Sequence, residues 1–352
     1  MLYSVLQVFI RLGLYIFCGD ITISNKAILK SKGPLLLACN HPNSFLDAII
    51  IGSLFKQPVH YLARGDAFKK PLVSKLLGAL KLMPIYRLSE GREYLALNDN
   101  TFDNCKTILL HGGIVLIFAE GLCEHKWQLQ PLKKGAARIA FGAWNEPNIT
   151  DHFSVQPVSI NYHSFTQFDK QVIIHFGDII TKQDVLLVAN EGERIQQFNT
   201  LLSKQLTNGI LVSNGDEKLV QTLIARHKQF IASKGTAIRD LKRLQAIHQQ
   251  PHLPKPINNL PLKTLLLLPA VVGFLLHAAL YFPVKKLVQQ KTSNSVFYDS
   301  VLFGALLILY PFYYLLVNIL VFNLTNNIAL QIVCLLMPFS LWLLTSYKKL
   351  FY

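Results

Sequence analysis

His41 and Asp47 are separated by five residues in the run Leu35-Leu36-Leu37-Ala38-Cys39-Asn40-His41-Pro42-Asn43-Ser44-Phe45-Leu46-Asp47. An imidazole of ordinary pKa, about 6.5, accepts a proton at neutral pH, and a nearby carboxylate fixes its tautomer and stabilises the imidazolium. Such a pair suits removal of a proton from an acceptor hydroxyl and contributes about 10²- to 10⁴-fold in rate. The same residues also fit a purely structural role. Ser44-x-x-Asp47 has the form of a capping box, which makes Asp47 a helix-start residue and His41 a turn residue. One histidine and one aspartate do not choose between these two roles.

Later segments add groups that could serve the same chemistry. Glu120 and Gly121 follow the apolar run Ile114-Val115-Leu116-Ile117-Phe118, so the carboxylate sits at a strand end and the glycine permits a tight turn or close ligand approach. Arg87, after Met83-Pro84-Ile85-Tyr86, and Lys133-Lys134, before Gly135-Ala136-Ala137, place cations at loop-to-helix junctions, where helix N–H groups add to an anion site. A solvated basic surface is the plain alternative in a chain with 35 lysines and arginines. Cys123-Glu124-His125 has no second cluster to pair with and reads as loop side chains.

The elements that must position these groups follow from apolar patterning. Residues 34–39 form a buried strand, 44–55 a helix, 59–63 a short strand and 72–80 a helix. A helical stretch spans 90–111, a buried strand 113–118, a helix 135–143, and strands 154–161 and 171–176. Strand and helix alternate, which argues an α/β fold with a mixed, mainly parallel sheet flanked by helices. Within it, His41 and Asp47 meet at the mouth of the sheet, where a strand ends and a helix begins.

The chain has 352 residues, enough for one sizeable α/β core and an appendage. Its formal net charge is +15, while 51% of its residues are hydrophobic and its mean hydropathy is +0.32. A soluble nucleic-acid binder shares the charge but does not gather long apolar runs near one end, so no nucleic-acid partner is expected. An anionic membrane surface accounts for both properties. Five widely spaced cysteines without a C-x-x-C pair point to buried, reduced thiols, with neither a disulfide framework nor a metal site.

The predicted organisation has four parts. Residues 1–24 read as an interfacial or amphipathic helix, interrupted by Arg11 and without a cleavage signal. Residues 25–215 form the α/β domain. A basic helical segment and Pro-rich linker occupy 216–260, and a membrane region 261–352. In that last region 262–283, broken by Pro269, Gly273 and His277, is expected to be re-entrant or interfacial, and 296–322 and 328–347 to cross the bilayer. From residue 255 onward seven lysines face Asp299 alone. Two crossings keep Lys285, Lys286, Lys291, Lys348 and Lys349 on the cytoplasmic side, in line with the positive-inside bias, and leave only the uncharged turn 323–327 outside.

The order of segments resembles a known family. Asn40-His41-x₅-Asp47, Ile85-Tyr86-Arg87, Phe118-Ala119-Glu120-Gly121 and Val155-Gln156-Pro157-Val158 are similar to the four successive motifs of the glycerolipid acyltransferases, which include the 1-acylglycerol-3-phosphate and glycerol-3-phosphate acyltransferases. The commonest family pattern places four residues between histidine and aspartate, where this chain has five. The resemblance implies His41 as general base, Asp47 as its orienting partner, and Arg87, Glu120 and Gly121 in the acceptor site; where the family often continues Thr-Arg-Ser this chain has Leu122-Cys123-Glu124, and Lys126, Lys133 or Lys134 is the expected substitute for that arginine's phosphate contact.

It further implies a membrane-bound enzyme of phospholipid biosynthesis that moves a fatty acyl group from acyl-CoA or acyl carrier protein, as donor substrate, to a hydroxyl of a glycerol phosphate or lysophospholipid. No cofactor or metal is implied. Rival readings are an acyltransferase for another lyso-lipid such as an aminolipid, a non-catalytic membrane-anchored lipid-binding protein, and a thioester hydrolase using the same pair. The catalytic domain is expected to face the cytoplasm, at the inner membrane if the source is bacterial.

Overall fold

The computed structural model describes residues 2–87, 90–147, 152–185, 190–212, 215–234, 241–249, 260–292 and 295–349. The linker expected around Pro251, Pro254 and Pro256, and Arg239 of the basic segment, lie outside them. The chain divides into two compact units: Met1–Gln7, Ile23–Asn161 and Ile173–Asp216 form one, and Val8–Thr22, Tyr162–Val172 and Glu217–Tyr352 the other.

Seven strands make one sheet. They are β1 (Cys18–Ser24), β2 (Leu35–Cys39), β3 (Val59–Arg64), β4 (Leu82–Ile85), β5 (Ile114–Phe118), β6 (Ser154–Tyr162) and β7 (Lys170–Phe176), in the order β1-β7-β6-β2-β5-β3-β4. β2 pairs in parallel with β5 and β6, and β3 pairs in parallel with β4 and β5. β6 and β7 are joined by a short turn and run antiparallel: His163 N–H donates to Gln171 O, and Gly177 N–H to Pro157 O. The fold is therefore mixed and mostly parallel. All five residues of β2 are buried, which explains its unbroken apolar sequence: a central parallel strand is covered on both faces.

α1 (Leu2–Phe17) precedes the strands, α2 (Ser44–Leu54), α3 (Pro71–Ala79), α4 (Leu97–Leu110) and α5 (Gly135–Trp144) lie between them in the chain, and α6 (Glu191–Asn208) follows β7. The core of the first unit joins Leu36, Ala38, Val115 and Ile117 of the sheet to Ala136, Ala140 and Trp144 of α5 and Phe198, Leu202 and Leu206 of α6. The small residues of α5 let it lie close to the strands, and Trp144 and Phe198 fill the remaining depth; each large side chain buried there contributes about 1.5–3 kcal/mol. The helical stretch expected at 90–111 is shorter: a 3₁₀ turn at Arg92–Tyr94 precedes α4.

The second unit contains α7 (Glu217–Lys234), α8 (Leu241–Gln245), α9 (Leu260–Thr292), α10 (Tyr298–Leu324), α11 (Ile328–Leu335) and α12 (Met337–Lys349). Pro261–Thr292 and Tyr298–Leu324 are each long and apolar enough to cross a membrane, and only 6% of the apolar window of Tyr298–Leu324 is buried inside the protein. Leu265, Leu268, Ile308 and Phe312 stand exposed, as lipid-facing residues do. This differs from the re-entrant form of the expectation for 262–283, in which the chain dips and returns. One helix runs through Pro269 and Pro283, and the bend, 65°, falls instead between α11 and α12. Packing against neighbouring helices lets an apolar helix carry such prolines. Tyr313 Oη donates to Leu276 O at 2.7 Å, and His277 Nε2 lies 3.2 Å from Met337 O. Gly273 sits so close to α12 that a Cβ there would come within 2.6 Å of Ser340 O.

Among the described residues of this unit is a fully buried ion pair. Lys170, at the start of β7, forms an ion pair with Asp299 in the first turn of α10, both side chains at 0% exposure. The Lys170 ammonium also lies 5.1 Å from the centre of the Phe17 ring. Burial pushes its pKa down, while Asp299 pulls it up.

Candidate active site

The site lies where the central parallel strands end. Asn40, just past β2, is held by a reciprocal pair of bonds: its Nδ2 donates to Ile160 O at 3.1 Å, and Ile160 N–H donates to its Oδ1 at 2.8 Å. This locks the exit of β2 to β6 and sets the direction of the next residue. His41 then stacks on Phe118 of β5, ring centres 3.6 Å apart and planes 11° from parallel. Its Nδ1 lies 2.9 Å from Asp47 Oδ2. Asp47 is completely buried, in the first turn of α2, and the same oxygen accepts the Asn43 N–H at 2.8 Å. Because the carboxylate only accepts, His41 donates from Nδ1, and the lone pair is left on Nε2.

The five-residue spacing is absorbed in the turn. Ser44 takes a positive φ of 52°, and its N–H points at Cys123 Sγ, 2.9 Å away. Asp47 therefore does both things the sequence allowed. It reaches back to a backbone N–H at the helix start, as a capping carboxylate does, and it holds the imidazole. The N-cap residue is Asn43 rather than Ser44, and it makes no side-chain cap bond.

Glu120 is only 3% exposed and turns both oxygens onto backbone. Oε2 accepts His41 N–H at 2.9 Å, and Oε1 accepts Gln130 N–H at 2.9 Å. Burial raises its pKa to about 7 against the pull of these two bonds. Where the resemblance implies a contact with the acceptor, the structure shows the carboxylate occupied in tying the His41 backbone to the loop after β5. Gly121 follows with φ +68°, and a Cβ there would meet Lys133 Cγ at 2.7 Å. Lys133 N–H in turn donates to Ala119 O at 2.7 Å, so the loop folds back on the strand end it left. Among the described residues no group of three or more His, Cys, Asp or Glu is arranged to hold a metal ion.

This layout, a His–Asp pair at the exit of one parallel strand and a Glu-Gly turn at the exit of the next, falls within residues 20–161, which match the family model described as Acyltransferase. Over those residues the chain is similar to that family. Among solved structures, the chain is similar to the 1-acyl-sn-glycerophosphate (LPA) acyltransferase PlsC from Thermotoga maritima, at 14% identity and a TM-score of 0.42 over 59% of this chain and 78% of that one. No curated protein matches it in sequence.

The remaining predicted site residues are distributed unevenly. Arg87 follows β4 and is half-buried; burial lowers its pKa first, then the neighbouring guanidinium of Arg64, while Glu90 and Asp66 oppose both. Arg64 ends β3 in register with Ile85 of β4, and its Nη2 pairs with Asp66 at 2.5 Å. Sequence reasoning passed over Arg64, although a charged residue closing an alternating strand beside the Ile85-Tyr86-Arg87 segment was the available signal. Lys133 lies against Gly121, whereas Lys134 is exposed and lines a groove along α6. Cys123 joins the site through Ser44. Burial and the nearby Asp47 push its pKa well up, so it stays a thiol at neutral pH.

Proposed function

We propose that this acyltransferase moves a fatty acyl group from a thioester donor, acyl-CoA or acyl carrier protein, to a hydroxyl of a glycerol phosphate or lysophospholipid at a membrane. The observation that carries the reading is the 2.9 Å contact between His41 Nδ1 and Asp47 Oδ2, which leaves Nε2 free to accept a proton. In the reaction, Nε2 takes the proton of the acceptor hydroxyl as its oxygen attacks the thioester carbonyl carbon. The imidazolium is stabilised by the buried Asp47 carboxylate. Collapse of the tetrahedral intermediate re-forms the carbonyl and expels the thiolate, which takes the proton from Nε2. No acyl-enzyme is needed, in keeping with a Cys123 that stays protonated.

Arg87, whose proton affinity is lowered by burial and by the neighbouring Arg64 guanidinium, and Arg64 itself suit the acceptor's phosphate, with Lys133 as a third cation beside Gly121. Glu120 acts on His41 by holding its backbone. α9 and α10 keep the enzyme at the bilayer.

The test is transfer of labelled acyl groups by purified full-length protein to glycerol 3-phosphate, lysophosphatidate and a lyso-aminolipid. His41→Ala should lower transfer by about 10²- to 10⁴-fold with folding retained. Wild-type rates in His41→Ala would overturn the mechanism, and donor consumption without acylated lipid would assign the pair to hydrolysis.

A further inference from the structure

Along α6 runs a groove of about 730 Å³, closed on its other side by the loop 129–134. The α6 residues that face it, from Gly192 to Thr207, recur at three- and four-residue intervals on one side of the helix. At 1.5 Å per residue that stretch is about 22 Å long. The lining is unusual in kind. Apolar side chains such as Leu129, Leu132 and Ile195 alternate with amides and hydroxyls, among them Gln130, Asn199 and Ser203; Lys134 supplies a positive charge, and no carboxylate or aromatic ring takes part.

The groove adjoins the site already described. Gln130 lines it, and the Gln130 N–H is bonded to the same Glu120 carboxylate that accepts the His41 N–H. A single side chain thus separates the groove from the backbone of the His41 residue.

We propose that this groove binds the phosphopantetheine arm of the acyl thioester donor. The inference rests on the acyl-transfer reading above. The arm is a thin chain of methylenes interrupted by two amides and a hydroxyl and closed by a phosphate. Its methylenes match the apolar floor, its amides and hydroxyl match Gln130, Asn199 and Ser203, and its phosphate matches Lys134. A fatty chain would leave the amides and hydroxyls of the groove facing hydrocarbon, at a cost for each. A nucleobase would find no ring to stack on. With the arm laid along α6 and its sulfur end toward Gln130, the thioester end lies nearest the hydrogen-bond chain from Gln130 through Glu120 to His41.

The experiment measures binding of CoA and of holo acyl carrier protein to the full-length protein in detergent, beside the acyl-transfer assay. Thr200→Trp, at an exposed position on the groove wall, and Ser203→Trp fill the groove; Lys134→Glu reverses its charge without adding bulk. Each should weaken binding by at least about tenfold with the circular dichroism spectrum unchanged. Tight binding of CoA alone names CoA as the source of the arm, and binding of the holo carrier but not its apo form names the carrier. Wild-type affinity in all three variants overturns the proposal, as does a wild-type protein that binds neither compound, or a rise in KM for the lipid acceptor alone. A wild-type protein that transfers acyl groups while the variants bind normally removes the groove and leaves the enzyme. One that binds CoA through the groove but acylates no acceptor removes the acyl-transfer reading and leaves the groove.

Discussion

Replacing Glu120 by glutamine tests whether its buried carboxyl is the hinge on which His41 is held. Burial lifts the Glu120 pKa from 4.5 to about 7. At about pH 5 the folded protein holds this proton almost fully, whereas an unfolded chain holds about a quarter of it. The folded state therefore binds more protons than the unfolded state, and stability falls as pH rises from the unfolded pKa through the folded one. Integrated between about pH 5 and about pH 8, the loss from this single group is about 2.5 kcal/mol. Glutamine cannot titrate, so the variant lacks that slope. It also keeps only one acceptor oxygen and sets an NH₂ against either the His41 or the Gln130 N–H, a pH-independent cost of about 1–3 kcal/mol. The stability gap between wild type and Glu120→Gln should then be large at about pH 5 and shrink by about 2.5 kcal/mol by about pH 8. Unfolding of both full-length proteins in the same detergent at the two pH values measures the gap, and titrating groups that do not interact with Glu120 cancel in the difference. A gap that is the same at both pH values would refute the placement of a titrating carboxyl at this position.

Three further outcomes follow from particular contacts. Asp47→Asn should keep the fold, because an amide oxygen can still accept from Asn43 and His41, yet lose the charge that stabilises the imidazolium; acyl transfer should fall by at least about 10²-fold, and unchanged transfer would remove Asp47 from the mechanism. Asp299→Leu strands the buried Lys170 ammonium and should cost about 3–5 kcal/mol in unfolding experiments, while Lys170→Met combined with Asp299→Leu recovers most of it; equal stability of single and double variants would show that the pair carries no such charge. Gly273→Ala drives a methyl group into Ser340 O and should cost about 1–3 kcal/mol and loosen α12 from α9, read by protease sensitivity of the C-terminal region; wild-type protection would contradict the close approach.

The elements that hold the site were legible wherever an apolar run met a turn signal. β2, α2, β5 and α5 stand within a residue or two of their sequence boundaries, because burial on both faces of a parallel sheet writes itself as continuous hydrophobicity. β1 escaped notice. At the sheet edge, its Cys18-Gly19-Asp20-Ile21-Thr22-Ile23-Ser24 sequence carries only two branched apolar residues, and the side chains it buries are Cys18, Thr22 and Ser24. α6 was unnamed although Ile195, Phe198, Leu202 and Leu206 carry a helical period, all four buried, and with it went the groove beside Gln130.

What no single stretch of sequence could show is the direction in which polar groups face. Glu120 reads as a carboxylate at a strand end, free to meet a ligand, until the loop to Gln130 closes over it and two backbone N–H groups take its oxygens. Lys170 reads as one of many surface lysines, and its partner Asp299 lies 129 residues further on, in the first turn of an apolar helix. In both cases the identity of the side chain was visible and its role was decided by what long-range closure left it to bond. The His41–Asp47 pair escaped this ambiguity because the turn that joins them is local: six residues apart in number, they needed only Ser44 in the left-handed region to come within hydrogen-bonding distance. Local turns can therefore be argued from sequence with their chemistry attached. A buried carboxyl such as Glu120 needs its titration measured, because its burial moves the pKa into the range where an ordinary imidazole works.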